Sequence, residues 1–373
     1  MQYRPFGDLD YKVSALGFGA MRLPTDEEGN IEEERAVRMI RYALDQGVNY
    51  IDTAWPYHDK QSEPLVARAL EDGYREKTKI ATKLPSWEVE TEEDLDKYLN
   101  KQLAKLKVDK IDFYLLHALT EDRWEKYKEV DVFSWINKVK QEGKIDYIGF
   151  SFHDDYEQFV KIIDEYEGWD FCQIQYNYLD TQFQAGRKGM KYAARKGIPV
   201  VVMEPLRGGQ LAQDPPAEVK KIIQDSDVGR TMADLALQWL WDQPEVTTVL
   251  SGMSNMQQVK ENVVSAENSG VNHLTQKEKD LVGQIAEKLR GPIQCTQCNY
   301  CMPCPTGVQI PRNFALYNRA HVYDHYEDAR EKYQDLDQSK QAEACVRCGQ
   351  CEPACPQDLE IMDLLEEVTD FFA

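Results

Sequence analysis

The chain has nine cysteines, and eight of them fall into two short runs near its C-terminal end. The second run reads Cys345-x2-Cys348-x2-Cys351-x3-Cys355, followed by Pro356. Bacterial ferredoxins use this spacing: three thiolates ligate one [4Fe–4S] cluster, and the fourth ligates the other cluster of a pair. The second run therefore predicts two iron–sulfur clusters.

The first run, Cys295-x2-Cys298-x2-Cys301-x2-Cys304, precedes Pro305 and is one residue shorter before its last thiol. Because the last cysteine of each run is expected to reach the other cluster, we assign the ligands in crossed sets. One cluster takes Cys295, Cys298, Cys301 and Cys355, and the other takes Cys345, Cys348, Cys351 and Cys304. Zinc is the alternative, although zinc ribbons separate two C-x2-C pairs by about a dozen residues or more. Cys172 stands alone in an apolar segment and is expected to be an inert buried thiol.

Ionisable residues follow apolar segments in the first part of the chain. Asp52 closes "NYID", Lys83 lies in "IATKL", His117 closes "FYLLH", and Tyr57 follows in "TAWPYH". A tyrosine is a weak acid with a pKa near 10, but a nearby ammonium group stabilises the phenolate and lowers that pKa. A buried lysine in turn needs a carboxylate to remain charged. These residue types predict a proton donor for a carbonyl oxygen that gains charge as hydride arrives, with a neutral histidine as second donor.

The elements that carry these residues alternate regularly between apolar strands and amphipathic helices. The strands are expected at 15–19, 48–52, 79–84, 111–117, 145–151, 171–177, 198–203 and 246–252, and the helices at 32–47, 62–72, 91–106, 124–142, 155–166, 186–196, 229–242 and 255–267. Eight such units predict an α/β fold, a closed (β/α)8 TIM barrel, whose functional residues lie at the C-terminal ends of the strands, here called the mouth. An open doubly wound sheet is the alternative, but no G-x-G-x-x-G follows the first strand.

The alternation stops near residue 290. We therefore predict a barrel domain over 1–290 and a small, mainly helical ferredoxin-like domain over 291–373. The spacer at 313–344 is polar and helix-prone, which favours helices that hold the two cysteine runs together.

The ionisable set Asp52, Tyr57, Lys83 and His117, in this order on consecutive strands, resembles the catalytic tetrad of the aldo-keto reductase family. The resemblance covers about residues 3 to 270 and extends through "GVNYIDTAWPYHDKQSE", "TKLP", "YLLHAL", "IGFS", "QIQYNYL" and "LSGMSNMQQVKENV". It implies a cytoplasmic oxidoreductase that interconverts carbonyls and alcohols, with Tyr57 as general acid/base. With its cysteine-rich C-terminal segment, residues 291–373, here called the tail, the chain resembles the iron–sulfur members of this family from anaerobic bacteria and archaea.

The resemblance also implies an extended nicotinamide nucleotide. Ser151 and Gln175 match positions that hold the carboxamide, and Glu261 and Asn262 match positions that hold adenine. Other positions depart from the family pattern: Phe152 replaces an asparagine, Met203 replaces the ring that stacks on nicotinamide, Glu204 stands near the pyrophosphate position, and Lys260 is the only cation between Ser251 and Asn262. The sequence therefore leaves NAD(H), NADP(H) and a flavin open.

The acidic composition, with 44 Lys and Arg against 65 Asp and Glu and a net charge of -21, argues against nucleic acid or an anionic membrane as a partner. No signal peptide or long apolar run is present, so we expect a cytoplasmic protein. The expected partners are a small carbonyl or alcohol substrate and a ferredoxin-type electron carrier. Two other hypotheses for the function stay open. The chain could be a redox-sensing or binding protein with a non-catalytic barrel, or an NAD(H)-dependent reductase whose clusters are structural.

Overall fold

The computed structural model describes residues 1–297, 299–323 and 325–373. These residues form two compact units, the first made of 1–205 and 236–274 and the second of 206–235 and 275–373. The first unit contains the strands, and the second contains both cysteine runs. The domain division at residue 290 stays a prediction, because the second unit also recruits a segment from within the barrel sequence.

The strands form a hairpin and a closed barrel. They are β1 (Tyr3–Pro5), β2 (Lys12–Ser14), β3 (Leu16–Gly19), β4 (Tyr50–Asp52), β5 (Lys79–Leu84), β6 (Ile111–Leu119), β7 (Ile145–Phe152), β8 (Phe171–Gln175), β9 (Val200–Met203) and β10 (Val246–Gly252). Strands β1 and β2 pair antiparallel, whereas β3 to β10 are all parallel, and β10 closes the barrel against β3. The predicted (β/α)8 barrel is therefore confirmed.

The helices alternate with the barrel strands along the chain and continue after the last strand. They are α1 (Glu33–Asp45), α2 (Ser62–Ala69), α3 (Glu92–Leu106), α4 (Glu121–Glu129), α5 (Val132–Gln141), α6 (Tyr156–Glu165), α7 (Gly186–Arg195), α8 (Ala217–Asp225), α9 (Met232–Trp241), α10 (Met256–Glu267), α11 (Gln276–Leu289), α12 (Ile310–Tyr323), α13 (Tyr326–Gln334) and α14 (Ile361–Phe372). Among the described residues, no helix has both the length and the apolar character needed to cross a membrane.

The prediction of one helix over 124–142 is wrong, because the segment forms α4 and α5 with a break between them. Asp131 adopts a left-handed backbone conformation with φ of 47° and its carboxylate accepts a hydrogen bond from Ser134 N at 3.3 Å. Aspartate favours such cap positions because its short side chain satisfies a free backbone N–H group. Helices α8 and α11 and the hairpin were not predicted from the sequence.

The β1–β2 hairpin supplies apolar side chains to the core at the N-terminal end of the barrel. Phe6 and Val13 are fully buried in one cluster with aromatic residues from the starts of the strands. The ring centroid of Phe6 lies 4.7 Å from that of Phe113 and 5.7 Å from that of Phe171. The hairpin therefore fills the N-terminal end of the barrel with apolar side chains. The ionisable residues Asp52, Lys83 and His117 lie towards the opposite end, the mouth.

The second unit has an apolar core of its own, formed by α12, α13, α14 and the segments beside them. Phe314, Tyr333, Leu365 and Phe372 are buried there, and several of the clustered cysteines pack against the same core. Ion pairs join the remaining helices of this unit, including Lys288 with Glu218 on α8 at 2.6 Å. The cysteine runs are thus supported by packed helices, as the helix-prone spacer predicts.

We predict that Phe6→Ala destabilises the barrel by about 3–5 kcal/mol, because it leaves a cavity in a fully buried aromatic cluster. Urea unfolding followed by tryptophan fluorescence measures this, since all seven tryptophans belong to the first unit: Trp55, Trp87, Trp124, Trp135, Trp169, Trp239 and Trp241. Val264→Ala is the control, because that side chain is 56% exposed. Equal unfolding midpoints for both variants would contradict the proposed role of the hairpin.

Candidate functional site

The register of the barrel strands brings three of the four predicted tetrad residues to one interior face. Asp52 on β4 lies opposite Ala81 on β5, and Lys83 follows Ala81 by two residues. Lys83 in turn lies opposite Leu115 on β6, and His117 follows Leu115 by two residues. Since side chains two apart in a strand share a face, these three functional groups point into the barrel with the buried residues Ala81 and Leu115.

The same relationship continues around the barrel to the predicted carboxamide-binding residues. Gly149 on β7 lies opposite Leu115, and Ser151 follows by two residues. Ser151 lies opposite Gln173 on β8, and Gln175 is again two residues further along. The strand stagger of a closed barrel therefore places the predicted catalytic and carboxamide-binding residues on successive interior positions.

Lys83 is the central group of this arrangement. Its Nζ atom donates to Asp52 Oδ1 at 2.7 Å, to the carbonyl oxygen of Thr53 at 2.8 Å and to Tyr57 Oη at 3.4 Å. An ammonium group has three protons, so each has an acceptor. Burial raises the pKa of Asp52 and lowers the pKa of Lys83, while their ion pair opposes both shifts. The ammonium is thus fixed beside the phenol.

Tyr57 lies beyond the end of β4 and is partly exposed, unlike the buried Asp52 and Lys83. Its ring centroid lies 5.0 Å from Lys83 Nζ and 6.3 Å from the His117 ring, at an interplanar angle of 82°. The structure therefore brings all four tetrad residues together, with the phenol as the member that solvent or a ligand can reach. This arrangement suits a proton donor whose conjugate base is stabilised by a cation.

A β-bulge follows His117 and orients this part of β6. The pairing of β6 with β7 shifts register between Leu116 and Leu119, and Ala118 has a positive φ of 52°. Both ends of the Ala118 residue are held, since its N–H group donates to Ser151 Oγ at 2.7 Å and its carbonyl oxygen accepts from Arg123 Nη1 at 2.6 Å. Bulges of this kind re-aim side chains next to functional sites.

His117 is buried and is held neutral by its surroundings. Burial, reinforced by the nearby Lys83, His153 and Arg123, keeps the pKa of His117 well below its usual value. The backbone carbonyl of His117 also accepts a hydrogen bond from Ser86. A neutral imidazole carries one N–H group, so His117 can donate a hydrogen bond to a carbonyl oxygen.

The predicted nucleotide contacts differ in how well they are positioned. Gln175 donates to Asp180 Oδ2 at 3.2 Å, and Asn262 on α10 donates to Ser251 Oγ at 3.0 Å, so both amides are buried and oriented. Glu261 is exposed and accepts from Gln257 on the same helix at 2.8 Å. The structure thus places the Asn262 amide beside Ser251 near the end of β10, and Glu261 on the exposed surface of α10.

The departures from the family pattern have distinct structural roles. Phe152 is fully buried, with its ring centroid 5.0 Å from that of Phe159, so it belongs to the core. Met203 accepts a hydrogen bond from Gln173 through its sulfur at 3.4 Å. Glu204 has a cationic partner that the sequence analysis missed, because Arg22 Nη2 lies 3.9 Å from Glu204 Oε1. Arg22 therefore supplies a positive charge next to this carboxylate.

Further polar and aromatic groups at the mouth were also missed. Trp87 follows β5, Arg123 lies in the first turn of α4, and His153 follows β7 directly. Arg123 Cζ lies 5.7 Å from the Trp87 ring centroid, which in turn lies 5.0 Å from that of His117. The strand-end rule that found His117 would also have found His153, whereas Trp87 and Arg123 lie on loops and helix starts, where spacing gives no signal.

A buried carboxylate supports Lys83 from the outer side of β5. Glu63 on α2 accepts hydrogen bonds from Thr82 Oγ1 at 2.8 Å and from Gln102 Nε2 at 2.6 Å. The Gln102 amide also donates to the carbonyl oxygen of Lys83 at 3.0 Å. Burial raises the pKa of Glu63, although these hydrogen bonds oppose the shift. This network fixes the backbone that carries the ammonium group.

In the second unit, the clustered cysteines line two neighbouring cavities. Cys304 from the first run borders one cavity together with Cys345, Cys348 and Cys351 from the second run. The other cavity is bordered by Cys295, Cys301 and Cys355, and Cys301 also reaches the first cavity. Cys298 lies outside the described residues. Thiol donors gathered from both runs around each cavity fit iron–sulfur clusters with crossed ligand sets, which remain a prediction.

The two runs share a local loop conformation. Gln297 and Arg347, two residues after the first cysteine of each run, have positive φ angles of 57° and 53°. The backbone N–H group of each donates to the sulfur of that first cysteine, Cys295 or Cys345, at 3.4 Å. Hydrogen bonds to cysteine sulfur tune the potential of a bound cluster, so each loop is shaped around a thiolate.

The family follows from comparison with known proteins. Residues 15–282 match the aldo/keto reductase family and residues 294–360 match the 4Fe-4S dicluster domain. The chain therefore belongs to the aldo/keto reductase family of oxidoreductases and carries an iron–sulfur dicluster domain after its barrel.

Several relatives align with about three quarters of this chain. L-galactose dehydrogenase of Arabidopsis thaliana is 25% identical over an alignment of 314 residues that covers 78% of this chain and 97% of that protein. An NADH-specific methylglyoxal reductase of Escherichia coli is 24% identical over 338 residues, with coverages of 78% and 99%. The holo form of an aldo-keto reductase from Bacillus halodurans superposes with a TM-score of 0.63 at 28% identity and covers 76% of this chain and 96% of its own.

We predict that the first unit loses stability as the pH falls below about 6.5, because unfolding then allows buried imidazoles to bind protons. Burial and the charge of Arg123 lower the pKa of His153 to about 3, so this contribution extends down to that pH. Each such histidine contributes up to about 1.4 kcal/mol per pH unit. Urea unfolding followed by tryptophan fluorescence between pH 4 and 7 measures the slope.

The variant His153→Asn should make this slope shallower by about one proton. His273→Asn, at an exposed imidazole, is the control and should leave the slope as in the unmodified protein. If both variants retain the full slope, His153 does not stay neutral in the folded barrel.

We predict that paired substitutions distinguish crossed from uncrossed cluster ligation. With crossed sets, Cys304→Ser combined with Cys345→Ser removes one cluster and retains about four of the eight irons expected for two [4Fe–4S] clusters. Cys304→Ser combined with Cys295→Ser removes both clusters. Anaerobic iron and sulfide analysis measures this, and Cys172→Ala, in the barrel, should retain the full content. The reverse result for the two pairs would show that each run binds its own cluster.

Proposed function

We propose that the barrel interconverts carbonyl and alcohol groups with Tyr57 as the general acid/base. The observation that carries the proposal is the fixed ammonium of Lys83, which lies 3.4 Å from Tyr57 Oη and is paired with Asp52 in the barrel interior. This arrangement stabilises a phenolate at the one tetrad position that is partly exposed. An ion pair with a purely structural role would not require a phenol beside its ammonium group, so the position of Tyr57 favours a catalytic role.

The residues divide the proton chemistry between them. In the reducing direction, Tyr57 donates its proton to the substrate oxygen as the carbonyl becomes an alkoxide, and Lys83 stabilises the phenolate left behind. The neutral His117 donates a second hydrogen bond to the same oxygen and orients the carbonyl. In the oxidising direction, the phenolate takes the proton back. A nicotinamide nucleotide, when bound, supplies or accepts the hydride.

We infer that the nucleotide is NAD(H) rather than NADP(H). Ser151 and Gln175 are oriented at the mouth to hold a carboxamide, and Asn262 lies beside the end of β10. Arg22 offers a cation for a pyrophosphate next to Glu204. Lys260 is the only cation between Ser251 and Asn262, and its Nζ atom lies 6.0 Å from the Tyr42 ring centroid. We infer that Lys260 contacts this ring and does not bind the additional phosphate that distinguishes NADP(H) from NAD(H). The name of the NADH-specific relative from Escherichia coli supports the same choice.

We further propose that the tail exchanges electrons with a ferredoxin-type carrier through two [4Fe–4S] clusters held by the eight clustered cysteines. A cubane cluster transfers one electron, whereas hydride carries two, so a flavin remains an alternative second redox group. Exposure of Cys348 supports an exchange role, because a cluster near the surface can be reached by a partner. Clusters that only stabilise the fold would leave turnover unchanged when dithionite reduces them.

We predict that Tyr57→Phe lowers kcat for carbonyl reduction with NADH by about a hundredfold to ten-thousandfold, because the proton donor is removed. Nucleotide binding and iron content should not change. The control is Tyr98→Phe, which removes a phenol that donates to Glu88 at 3.0 Å on the helical side of the barrel. Turnover measured anaerobically with a panel of small aldehydes tests this. A Tyr57→Phe variant as active as Tyr98→Phe would overturn the proposal.

A further inference from the structure

The loop that follows Tyr57 has an unusual backbone conformation. Three consecutive residues that are not glycine, His58, Asp59 and Lys60, have positive φ angles of 50°, 50° and 68°. Side chains other than glycine rarely adopt this left-handed conformation, so a run of three requires contacts that hold it in place. The Lys60 carbonyl oxygen accepts a hydrogen bond from Lys105 Nζ at 2.8 Å, which fixes one end of the turn. The other end, at His58, is next to the proposed proton donor in the chain.

The imidazole of His58 fixes this other end to the segment that follows β3. Its Nε2 atom accepts a hydrogen bond from the backbone N–H group of Leu23 at 3.2 Å. A neutral imidazole that accepts at Nε2 carries its proton on Nδ1, and the ring makes a second hydrogen bond with the backbone of Met21. Burial lowers the pKa of His58, although this hydrogen bond and the charge of Asp59 oppose the shift. The neutral ring therefore holds the backbone on both sides of Arg22.

A further hydrogen bond joins the same two segments. Ser62, the first residue of α2, is fully buried, and its Oγ atom donates to the carbonyl oxygen of Ala20 at 3.0 Å. Together with the two hydrogen bonds of His58, this contact fixes the backbone of the segment 20–23. The loop that follows Tyr57 thus determines where this segment lies at the mouth.

Arg22 lies in this segment and provides the cation of the proposed nucleotide site. Its stem packs against the end of β10, because a β-carbon at Gly252 would come within 3.2 Å of both Cβ and Cγ of Arg22. Its Nη2 atom is buried and has no hydrogen-bond partner among the described residues, and Glu204 Oε1 at 3.9 Å is too distant for one. Since buried donors in folded proteins are nearly always paired, the guanidinium is positioned for an anionic ligand.

We propose that His58 is a positioning residue that holds Arg22 in place for the pyrophosphate of the nucleotide. The inference rests on the proposed nicotinamide chemistry of the barrel. In this arrangement the imidazole acts through the backbone of Met21 and Leu23, and the guanidinium between them contacts the pyrophosphate. The loop that follows the proton donor therefore also positions the cation that binds the nucleotide.

The test measures equilibrium binding of NADH to the full chain, purified anaerobically, by tryptophan fluorescence. His58→Asn should retain the turn, because asparagine adopts the left-handed conformation more readily than most residues, but its side chain is too short to replace Nε2. We expect the dissociation constant to rise about tenfold, because the buried N–H group of Leu23 loses its partner and the segment 20–23 is no longer held. His58→Gln should restore most of the affinity, since the longer amide can both accept and donate. In turnover, KM for NADH should rise much more than kcat falls.

A double-mutant cycle shows whether His58 acts through Arg22. Arg22→Gln alone should weaken NADH binding by about tenfold or more, because a hydrogen bond between charged groups is lost. If His58 acts through the guanidinium, His58→Asn should weaken binding little further in the Arg22→Gln background. Fully additive effects overturn the inference, and so does an unchanged dissociation constant in either single variant.

His321→Asn is the matched control. The His321 imidazole also forms a hydrogen bond with the backbone, that of Nδ1 with the Tyr317 carbonyl oxygen at 3.0 Å, but it belongs to the second unit. This variant should bind NADH as the unmodified protein does. An equal loss of affinity in His321→Asn and His58→Asn would show a general loss of stability and overturn the inference.

The binding measurement separates failure of the inference from failure of the proposed function. If the protein binds NADH but reduces no carbonyl, the proposed function fails, and the dissociation constants of the variants still decide the role of His58. If His58→Asn reduces carbonyls with an unchanged KM for NADH, the inference fails and the proposed function stands. If the unmodified protein binds no NADH, the inference is overturned together with the choice of nucleotide.

Discussion

The ion pair between Lys83 and Asp52 is the interaction on which the candidate site depends. Both groups are buried, and removing two charges from water is costly unless their hydrogen bonds are satisfied. The barrel meets this requirement for the ammonium, because the Thr53 carbonyl and the Tyr57 hydroxyl complete its set of acceptors. A buried lysine placed this way has one partly exposed neighbour, the phenol, and its electrostatic effect is directed there.

The position of this pair follows from strand register, which the sequence predicts only in part. Apolar runs ending in Asp52, Lys83 and His117 indicate that these groups lie at one end of a barrel, because parallel strands share their C-terminal edge. Their placement on one interior face depends on the stagger between strands, with Asp52 opposite Ala81 and not opposite Lys83. That stagger is a property of barrel closure, to which all eight strands contribute.

Local departures from regular structure could not be predicted for a related reason. The positive φ of Ala118 arises where contacts with Ser151 and Arg123 outweigh local preference. Arg22 and Arg123 lie on segments with no periodic pattern, and their partners, Glu204 and Trp87, are distant or loop-borne.

The cysteine runs, by contrast, could be recognised from the sequence, because the spacing of cluster ligands is local. Spacing alone gives the predicted ligand sets, whereas the two cavities are also bordered by residues of the packed helices α12 and α14.

The mouth contains cations although the protein as a whole is acidic. The chain has a net charge of -21, yet Arg22, Lys83 and Arg123 bring cations to the strand ends. At physiological ionic strength the Debye length is about 8 Å, so the distant acidic surface is largely screened from a ligand at the mouth, while a guanidinium in contact with it is not. The net charge of the whole surface therefore does not decide which ligands the mouth can bind. Each ligand there meets the local charges, in which Lys83 is paired with Asp52 and Arg22 with Glu204.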